Sequence, residues 1–181
     1  MNTVIVANGG ISDQRAAADL LASAELIIAA DGGTHHCLKL DYLPHLVIGD
    51  FDSLDPSTLE DLRKQEVELL EHPRRKDATD LELALLEAKE RGATALSILG
   101  AVGGRWDQSL ANFHLIASSR WQGMKVEVVD GPQKLLPIHP DRPLELHGEP
   151  GDLVSLIPLG GDAEGVHTSG LEYPLDGERL S

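Results

Sequence analysis

The sequence predicts an α/β fold, with a doubly wound, mostly parallel, Rossmann-like sheet followed by a C-terminal β segment. Over residues 1–130, apolar runs of strand length alternate with segments of helix length. These runs are Val4–Ala7, Leu26–Ala30, Leu46–Ile48, Val67–Leu70, Leu96–Leu99 and Val126–Val129. Such alternation is typical of βαβ units, which build parallel sheets covered by helices.

The clearest helix follows Asp77 and ends before Gly92, a residue type common just beyond helix ends. Its apolar positions recur at i, i+3, i+4 and i+7, as Leu81, Ala84, Leu85 and Ala88. We expect Asp77 or Thr79 to cap its N-terminus.

The character of the chain changes after Asp130-Gly131-Pro132. Repeated prolines divide the remaining sequence into short apolar runs, and no helical period survives. We therefore predict an α/β domain over residues 1–130 and a β domain over residues 131–181.

Composition narrows the classes of partner. The formal net charge is −15, which disfavours nucleic acid and anionic membranes, so a phosphate ligand is expected to arrive with a metal ion. Cys37 is the only cysteine, which indicates a reducing compartment, and the N-terminus lacks a signal-peptide pattern. We expect a cytoplasmic protein without a membrane span.

Polar motifs follow four of the predicted strands. They are Asp31-Gly32-Gly33, Gly49-Asp50-Phe51-Asp52-Ser53, Lys76-Asp77-Ala78-Thr79-Asp80 and Gly103-Gly104-Arg105-Trp106-Asp107. Ligands of open parallel sheets bind outside the carboxyl ends of the strands. We therefore expect the four motifs to line one crevice.

Asp50 and Asp52 are two residues apart and suit Mg²⁺ that carries substrate phosphates. The alternative is an Asx turn before a helix capped by Asp55. Asp77 and Asp80 could both face the crevice from the start of a helix, or could simply be partners of the helix dipole.

Gly103, Gly104 and Arg105 could offer backbone N–H groups and a guanidinium to an anion, although a glycine pair is often only a turn. The motif at Asp31, Gly32 and Gly33 has the same two interpretations.

The basic run before Asp77 provides Lys76 as a candidate for polyphosphate binding. His35, His36 and Cys37 lack a fourth ligand at metal spacing, and we interpret them as structural.

These motifs, in this order, resemble those of thiamine pyrophosphokinases. The pattern continues as Leu110-Ala111-Asn112 and, in the β segment, as Thr168-x-Gly170-Leu171-x-Tyr173-Pro174-Leu175. The resemblance thus covers nearly the whole chain.

The resemblance implies transfer of diphosphate from ATP to thiamine, a C-terminal β-sandwich and a homodimer with thiamine pockets between subunits. It assigns Asp50, Asp52, Asp77 and Asp80 to Mg²⁺ and the reacting phosphates, and Arg105 to phosphate oxygens. The nucleotide pocket would be completed by Asp31, Gly32, Gly33, Lys76, Thr79, Gly103, Gly104 and Asp107.

Two features depart from the family pattern. Gln108 stands where the family usually has histidine, and glutamine cannot titrate. The chain ends at Ser181, so we expect an incomplete sandwich and an incomplete thiamine pocket. Alternative functions are a pyrophosphokinase for another hydroxymethyl heterocycle, such as a pterin, or a nucleotide-binding module without turnover.

Overall fold

The computed structural model describes residues 1–74, 77–140 and 142–181. It divides the chain into two compact units, Met1–Pro137 and Ile138–Ser181.

Strands and helices alternate through the first unit. In chain order they are β1 (Asn2–Val6), α1 (Gln14–Ser23), β2 (Leu26–Ala30), α2 (Gly33–Lys39), β3 (Leu46–Gly49), α3 (Pro56–Lys64), β4 (Glu68–Glu71), α4 (Asp80–Glu90), β5 (Ala95–Leu99), α5 (Trp106–Ile116), β6 (Lys125–Asp130) and β7 (Gln133–Leu135). All six predicted strands are present, with bounds that differ from the predicted ones by at most two residues.

The strands form one seven-stranded sheet in the order β4-β3-β2-β1-β5-β6-β7. Every neighbouring pair from β4 to β6 is parallel, and β7 returns antiparallel to β6. The predicted mostly parallel α/β fold is confirmed. Because β7 pairs with β6, the first unit extends to Pro137, beyond the boundary at residue 130 suggested by the sequence.

Successive side chains of a strand point to opposite faces of the sheet, and helices pack on both faces. Ile5, Ile28 and Ile48 pack with Leu85 of α4 and Ile116 of α5. The neighbouring strand positions belong to the second cluster, which contains Val4, Ile27, Val47, Leu21, Cys37 and Leu62. The sheet is therefore doubly wound around two apolar layers.

Side-chain caps define where two helices begin beside the carboxyl edge of the sheet. The Asp55 side chain accepts a hydrogen bond from the Thr58 N–H at 2.9 Å and caps α3. The Thr79 hydroxyl oxygen accepts a hydrogen bond from the Glu82 N–H at 3.2 Å and caps α4. Of the two predicted capping residues, Asp77 and Thr79, the helix therefore uses Thr79. Within α4, the predicted apolar face is buried as Leu81, Ala84, Leu85 and Ala88.

Trp121 closes the core beyond α5 and is only 1% exposed. Its Nε1–H donates to the Leu115 carbonyl at 2.6 Å. The Lys89 and Arg120 cations lie 5.9 and 5.2 Å from its ring centroid. The indole thus joins the apolar layer to a charged surface.

The second unit contains an antiparallel pair, β8 (Ala163–His167) with β9 (Asp176–Leu180). Several large apolar side chains of this unit are exposed, including Leu153, Ile157 and Tyr173. The predicted C-terminal β character is confirmed as this two-stranded sheet. In neither unit do the described residues include a helix long and apolar enough to cross a membrane.

Candidate functional site

The sequence motifs lie after β2, β3 and β5 and before α4, at the carboxyl edge of the parallel sheet. Strands β4, β3, β2, β1 and β5 are consecutive neighbours, so their carboxyl ends form one continuous edge. Loops from several strands converge there, as in other open α/β sheets.

Three carboxylates lie together at this edge. Asp31, Asp50 and Asp52 each offer an oxygen, and these oxygens lie within 4.8 Å of one another. The side chains range from buried Asp31 to exposed Asp52. This carboxylate cluster has the hard oxygen donors that Mg²⁺ prefers, and its mixed exposure leaves room for water and phosphate ligands.

Asp31 is the buried member, with 7% of its surface exposed. Its Oδ2 accepts a hydrogen bond from the Ser53 hydroxyl, whereas its Oδ1 is buried without a hydrogen-bond partner among the described residues. A buried carboxylate oxygen without a donor costs free energy, and a bound cation would offset that cost. The donor set therefore fits a divalent metal ion.

The segment that contains Asp50 and Asp52 has both features that the sequence suggested, an Asx turn and a candidate metal site. The Asp52 N–H donates to Asp50 Oδ1 at 3.2 Å, which is the predicted Asx turn. The same two carboxylates nevertheless belong to the cluster. An ion pair of 3.1 Å joins Asp52 Oδ2 to Arg74 Nη2.

Among the described residues, the carboxylate cluster consists of Asp31, Asp50 and Asp52 and does not include Asp77 or Asp80. Asp80 begins α4 and lies in its first turn, a position at which a carboxylate interacts favourably with the helix dipole. The Thr79 hydroxyl is engaged in capping the same helix. Lys76, predicted to bind polyphosphate, falls outside the described residues.

The loop before α5, residues 103–105, is called here the glycine–arginine loop. Two of its three N–H groups already have acceptors: Gly103 donates to Ser109 Oγ at 3.2 Å, and Arg105 donates to the Gly103 carbonyl at 2.8 Å. These two N–H groups are therefore engaged within the protein, in place of the anion contact that the sequence suggested. Gly103 and Gly104 both have positive φ angles, which glycine adopts most easily, so the predicted turn is present.

The Arg105 guanidinium pairs with Asp107 in the first turn of α5. Arg105 Nε donates to Asp107 Oδ1 at 3.1 Å, and Nη2 donates to Oδ2. These hydrogen bonds hold the pKa of Asp107 below its usual range. Arg105 keeps further donors for an anion because a guanidinium has five N–H groups.

Close packing explains the two glycines after Asp31. A Cβ atom on Gly33 would lie 1.9 Å from the Val6 carbonyl oxygen, and one on Gly32 would lie 2.4 Å from the Asn8 side chain. The motif therefore allows α2 to start directly against β1. This geometry accounts for the tight strand-to-helix turn offered by the sequence.

His35 and His36 bond to main-chain carbonyls, with Nε2 at 2.9 Å from the Ser53 oxygen and 2.8 Å from the Gly9 oxygen, respectively. Burial raises the pKa of the Cys37 thiol to about 12. These contacts fit the structural interpretation of the three residues.

Sequence reasoning gave no role to Ser53 or Arg74, although both contact the carboxylate cluster. Ser53 stood inside a recognised motif, and Arg74 opened the basic run that drew attention to Lys76. Their contacts depend on the order of strands in the sheet, which separation along the chain does not reveal.

Comparison with protein families gives two consecutive matches. Residues 17–128 match the thiamin pyrophosphokinase catalytic domain, and residues 138–181 match the thiamin pyrophosphokinase vitamin B1 binding domain. The first match includes the carboxylate cluster and the glycine–arginine loop.

Individual relatives agree with these matches. A thiamine pyrophosphokinase of Bacillus subtilis is 30% identical over 152 residues, which cover 83% of this chain and 71% of that protein. The solved Bacillus subtilis thiamine pyrophosphokinase has a TM-score of 0.83 at 26% identity, over 100% of this chain and 84% of the other.

A thiamin pyrophosphokinase family protein from Enterococcus faecalis has a TM-score of 0.60 at 33% identity. That match covers 72% of this chain, which spans 62% of the Enterococcus chain.

Proposed function

Because the chain belongs to the thiamin pyrophosphokinase family, we propose that it transfers the terminal diphosphate of ATP to the hydroxyethyl group of thiamine. The products are thiamine diphosphate and AMP. The observation that carries this proposal is the carboxylate cluster at the carboxyl edge of the sheet, within the part of the chain that matches the catalytic domain.

The carboxylates of this edge bind the magnesium ion of Mg-ATP. Asp50 and Asp52, both in the carboxylate cluster, are its first ligands in our proposal. Asp80 at the first position of α4 and Asp77 three residues before it serve the metal and the phosphates. When bound, Mg²⁺ withdraws charge from the phosphate oxygens. The protein's contribution is to hold these oxygen donors in place before the nucleotide arrives.

The glycine–arginine loop binds the phosphate chain. Arg105 donates to phosphate oxygens while Asp107 holds its guanidinium, and the glycines allow close approach of the main chain. Asp31, Gly32, Gly33, Lys76 and Thr79 complete the nucleotide pocket in the proposal.

Transfer requires the thiamine hydroxyl oxygen to lie in line with the β-phosphorus. An O–P bond forms there as the bond from that phosphorus to the AMP oxygen breaks, and positioning with charge neutralisation supplies most of the acceleration. Asp80 is our candidate acceptor for the hydroxyl proton.

We further propose a cytoplasmic homodimer with thiamine pockets between subunits. The match of residues 138–181 to a vitamin B1 binding domain supports thiamine as the acceptor. The exposed Leu153, Ile157 and Tyr173 support association through the second unit, because large apolar side chains commonly mark interaction surfaces.

The test is to quantify AMP and ADP formed from ATP with and without thiamine, in the presence of Mg²⁺ and after chelation. We expect AMP to form only when both thiamine and Mg²⁺ are present. ADP as the nucleotide product, or equal turnover without thiamine, contradicts the proposal. A hydroxymethylpterin offered in competition distinguishes the alternative acceptor class, and binding of ATP without any AMP formation identifies a module without turnover.

A further inference from the structure

We propose that His35 and His36 are positioning residues that together fix the spacing between the carboxylate cluster and the glycine–arginine loop. Each histidine of this pair, called here the histidine brace, contacts a different loop at the carboxyl edge of the sheet. The inference rests on the proposed function for its kinetic consequences, but amide hydrogen exchange tests the contacts without turnover.

The brace consists of two consecutive residues of α2. Consecutive side chains of an α-helix lie about 100° apart around its axis, so they do not face the same neighbour. His35 Nε2 lies 2.9 Å from the Ser53 carbonyl oxygen in the β3–α3 loop. His36 Nε2 lies 2.8 Å from the Gly9 carbonyl oxygen in the β1–α1 loop. One short helix therefore contacts both loops.

The chemistry of the two contacts fixes which ring nitrogen carries hydrogen. A main-chain carbonyl oxygen only accepts hydrogen bonds, so Nε2 of each ring must be the donor. His35 is exposed and His36 is half-buried. Glutamine places an amide N–H donor at a reach similar to that of Nε2, whereas leucine fills similar space without a donor. These two substitutions therefore separate the hydrogen bond from the packing of the ring.

On the proposed metal side, His35 holds the segment that carries two members of the carboxylate cluster. Ser53 directly follows Asp52, whose N–H donates to Asp50 Oδ1 within the same turn. The Ser53 hydroxyl also donates to Asp31 at the end of β2. Anchoring the Ser53 carbonyl to α2 therefore restrains the turn beyond the end of β3.

On the proposed phosphate side, His36 acts through the segment that follows β1. The Gly9 N–H donates to the Gly100 carbonyl at 2.7 Å, and the Gly10 N–H donates to the Val102 carbonyl at 2.7 Å. A Cβ atom on Gly9 would lie 2.4 Å from each of these two carbonyl oxygens, so the segments pack too closely for a side chain. Val102 directly precedes the glycine–arginine loop. The His36 contact therefore restrains the chain up to the start of that loop.

These contacts form one continuous series across the edge. It runs from the β3–α3 loop through His35, α2 and His36 to the β1–α1 loop and residues 100–102. The sheet fixes the strand ends, and the brace restrains the loops beyond them. Diphosphate transfer depends on the relative positions of metal and phosphates, so a change in this spacing should slow it.

The kinetic test measures kcat and KM for Mg-ATP in the full chain with thiamine present. His35→Leu and His36→Leu should each lower kcat and kcat/KM equally, by about threefold to tenfold, the range for one hydrogen bond that acts in the transition state. His35→Gln and His36→Gln should stay within about twofold of the parent protein, because the amide restores the donor. A purely structural role predicts lower thermal stability with unchanged kcat.

The double variant tests whether the two histidines act as a pair. Loss of either bond interrupts the series, so loss of the second should add little. His35→Leu combined with His36→Leu should therefore lower kcat by about as much as the more damaging single substitution, whereas independent sites would give the product of the two losses.

Hydrogen–deuterium exchange resolved by segment gives a readout that needs no substrate. His35→Leu should raise amide exchange over residues 50–54, and His36→Leu should raise it over residues 8–13 and 100–105, because each variant releases its own loop. The two glutamine variants should exchange like the parent protein.

Two matched controls remove an exposed side chain of the same unit. Lys39→Leu changes the last residue of α2, and His114→Leu removes a histidine from α5. Both should keep kcat within about twofold of the parent value, as expected for surface substitutions.

Circular dichroism identifies folded variants, and an alanine variant replaces a leucine variant that does not fold. If neither donor-free variant of a histidine folds, its glutamine variant carries the test. The inference is overturned by parent-like kcat in either folded donor-free single variant, by multiplicative losses in the double variant, or by failure of glutamine to recover kcat.

The two proposals fail in different ways. If the parent forms AMP only with thiamine and Mg²⁺ but the donor-free variants match it, this inference fails and the proposed function stands. If exchange rises in the expected segments but the parent forms no thiamine-dependent AMP, the proposed function fails and the restraint of the two loops stands.

Discussion

The carboxylate cluster and the glycine–arginine loop lie at the same edge of the sheet but differ in how firmly the free protein holds them. Asp31 is buried, and its main chain and one carboxylate oxygen are hydrogen-bonded. Arg105 has a largely exposed side chain paired with Asp107, only two residues away. The proposed metal side of the site is thus largely formed in advance, whereas the proposed phosphate side relies on a local surface contact.

This difference has an energetic consequence. Fixing an exposed, rotamer-rich side chain during binding costs about 0.5–1.5 kcal/mol, a cost that a buried and hydrogen-bonded carboxylate has already met during folding. We therefore expect changes in the cluster to affect the reaction more strongly than changes in the loop.

The largest effect is expected from Asp50→Ala. Loss of a proposed metal ligand should lower turnover about 1000-fold or more, equivalent to roughly 4 kcal/mol of transition-state stabilisation. The thermal melt should change little, since removing one carboxylate also relieves repulsion within the cluster.

Steady-state AMP formation and thermal denaturation check this prediction. Asp19→Ala, at an exposed position of α1, is the matched control and should keep full activity. Wild-type turnover in folded Asp50→Ala would mean that the metal binds elsewhere.

Arg105→Ala should lower kcat/KM about 100-fold, because the variant loses a charge-assisted donor to the phosphates. Arg105→Lys should recover only part of that loss, since an ammonium cannot keep the fork-shaped pairing with Asp107. Initial rates at several Mg-ATP concentrations measure both variants, and Arg15→Ala serves as an exposed control on α1. A larger loss in Arg105→Ala than in Asp50→Ala would reverse the ranking of the two regions.

Asp107→Asn should weaken Mg-ATP binding by about threefold to tenfold, as expected for a residue that orients another. Hydrogen bonds from Arg105 lower the pKa of Asp107. The ion pair between the two side chains is therefore complete above the ordinary pKa of aspartate and is lost only as the pH falls through the lowered value. The affinity ratio between parent and variant should consequently be constant between about pH 5 and pH 9. Calorimetry across that range tests this, and a ratio that rises steadily with pH would contradict the assignment.

The smallest effect is expected from Gln108→His, which restores the residue usual in the family. The rate should change by no more than about tenfold, close to the contribution of one hydrogen bond, if this exposed position on α5 only orients its neighbours. Single-turnover rates provide the measurement. A gain of several hundredfold would show that histidine chemistry is missing at this position of α5.

The sequence predicted the fold well, because βαβ alternation depends on local periodicity. It identified the strands of the parallel sheet and the apolar face of α4, including Leu85. It missed the short return strand β7, whose three residues offer too few positions for a pattern.

The site was harder to predict, since its contacts cross between strands. The grouping of Asp31 with Asp50 and Asp52 depends on β2 and β3 being neighbours. The hydrogen bond from the Gly103 N–H forms because Ser109 Oγ on α5 lies next to the loop. Residue types and spacing identify such motifs, but they do not specify which atoms meet.

The contrasting surroundings of the two tryptophans give the protein an intrinsic optical reporter. The Trp121 indole is sealed from solvent and should emit at shorter wavelength, whereas Trp106 is 87% exposed and should emit at longer wavelength. Acrylamide should quench Trp106 selectively, which leaves the emission of Trp121 as an internal reference. Since Trp106 directly follows Arg105, the quenchable fluorescence can report nucleotide engagement of the loop without an added dye.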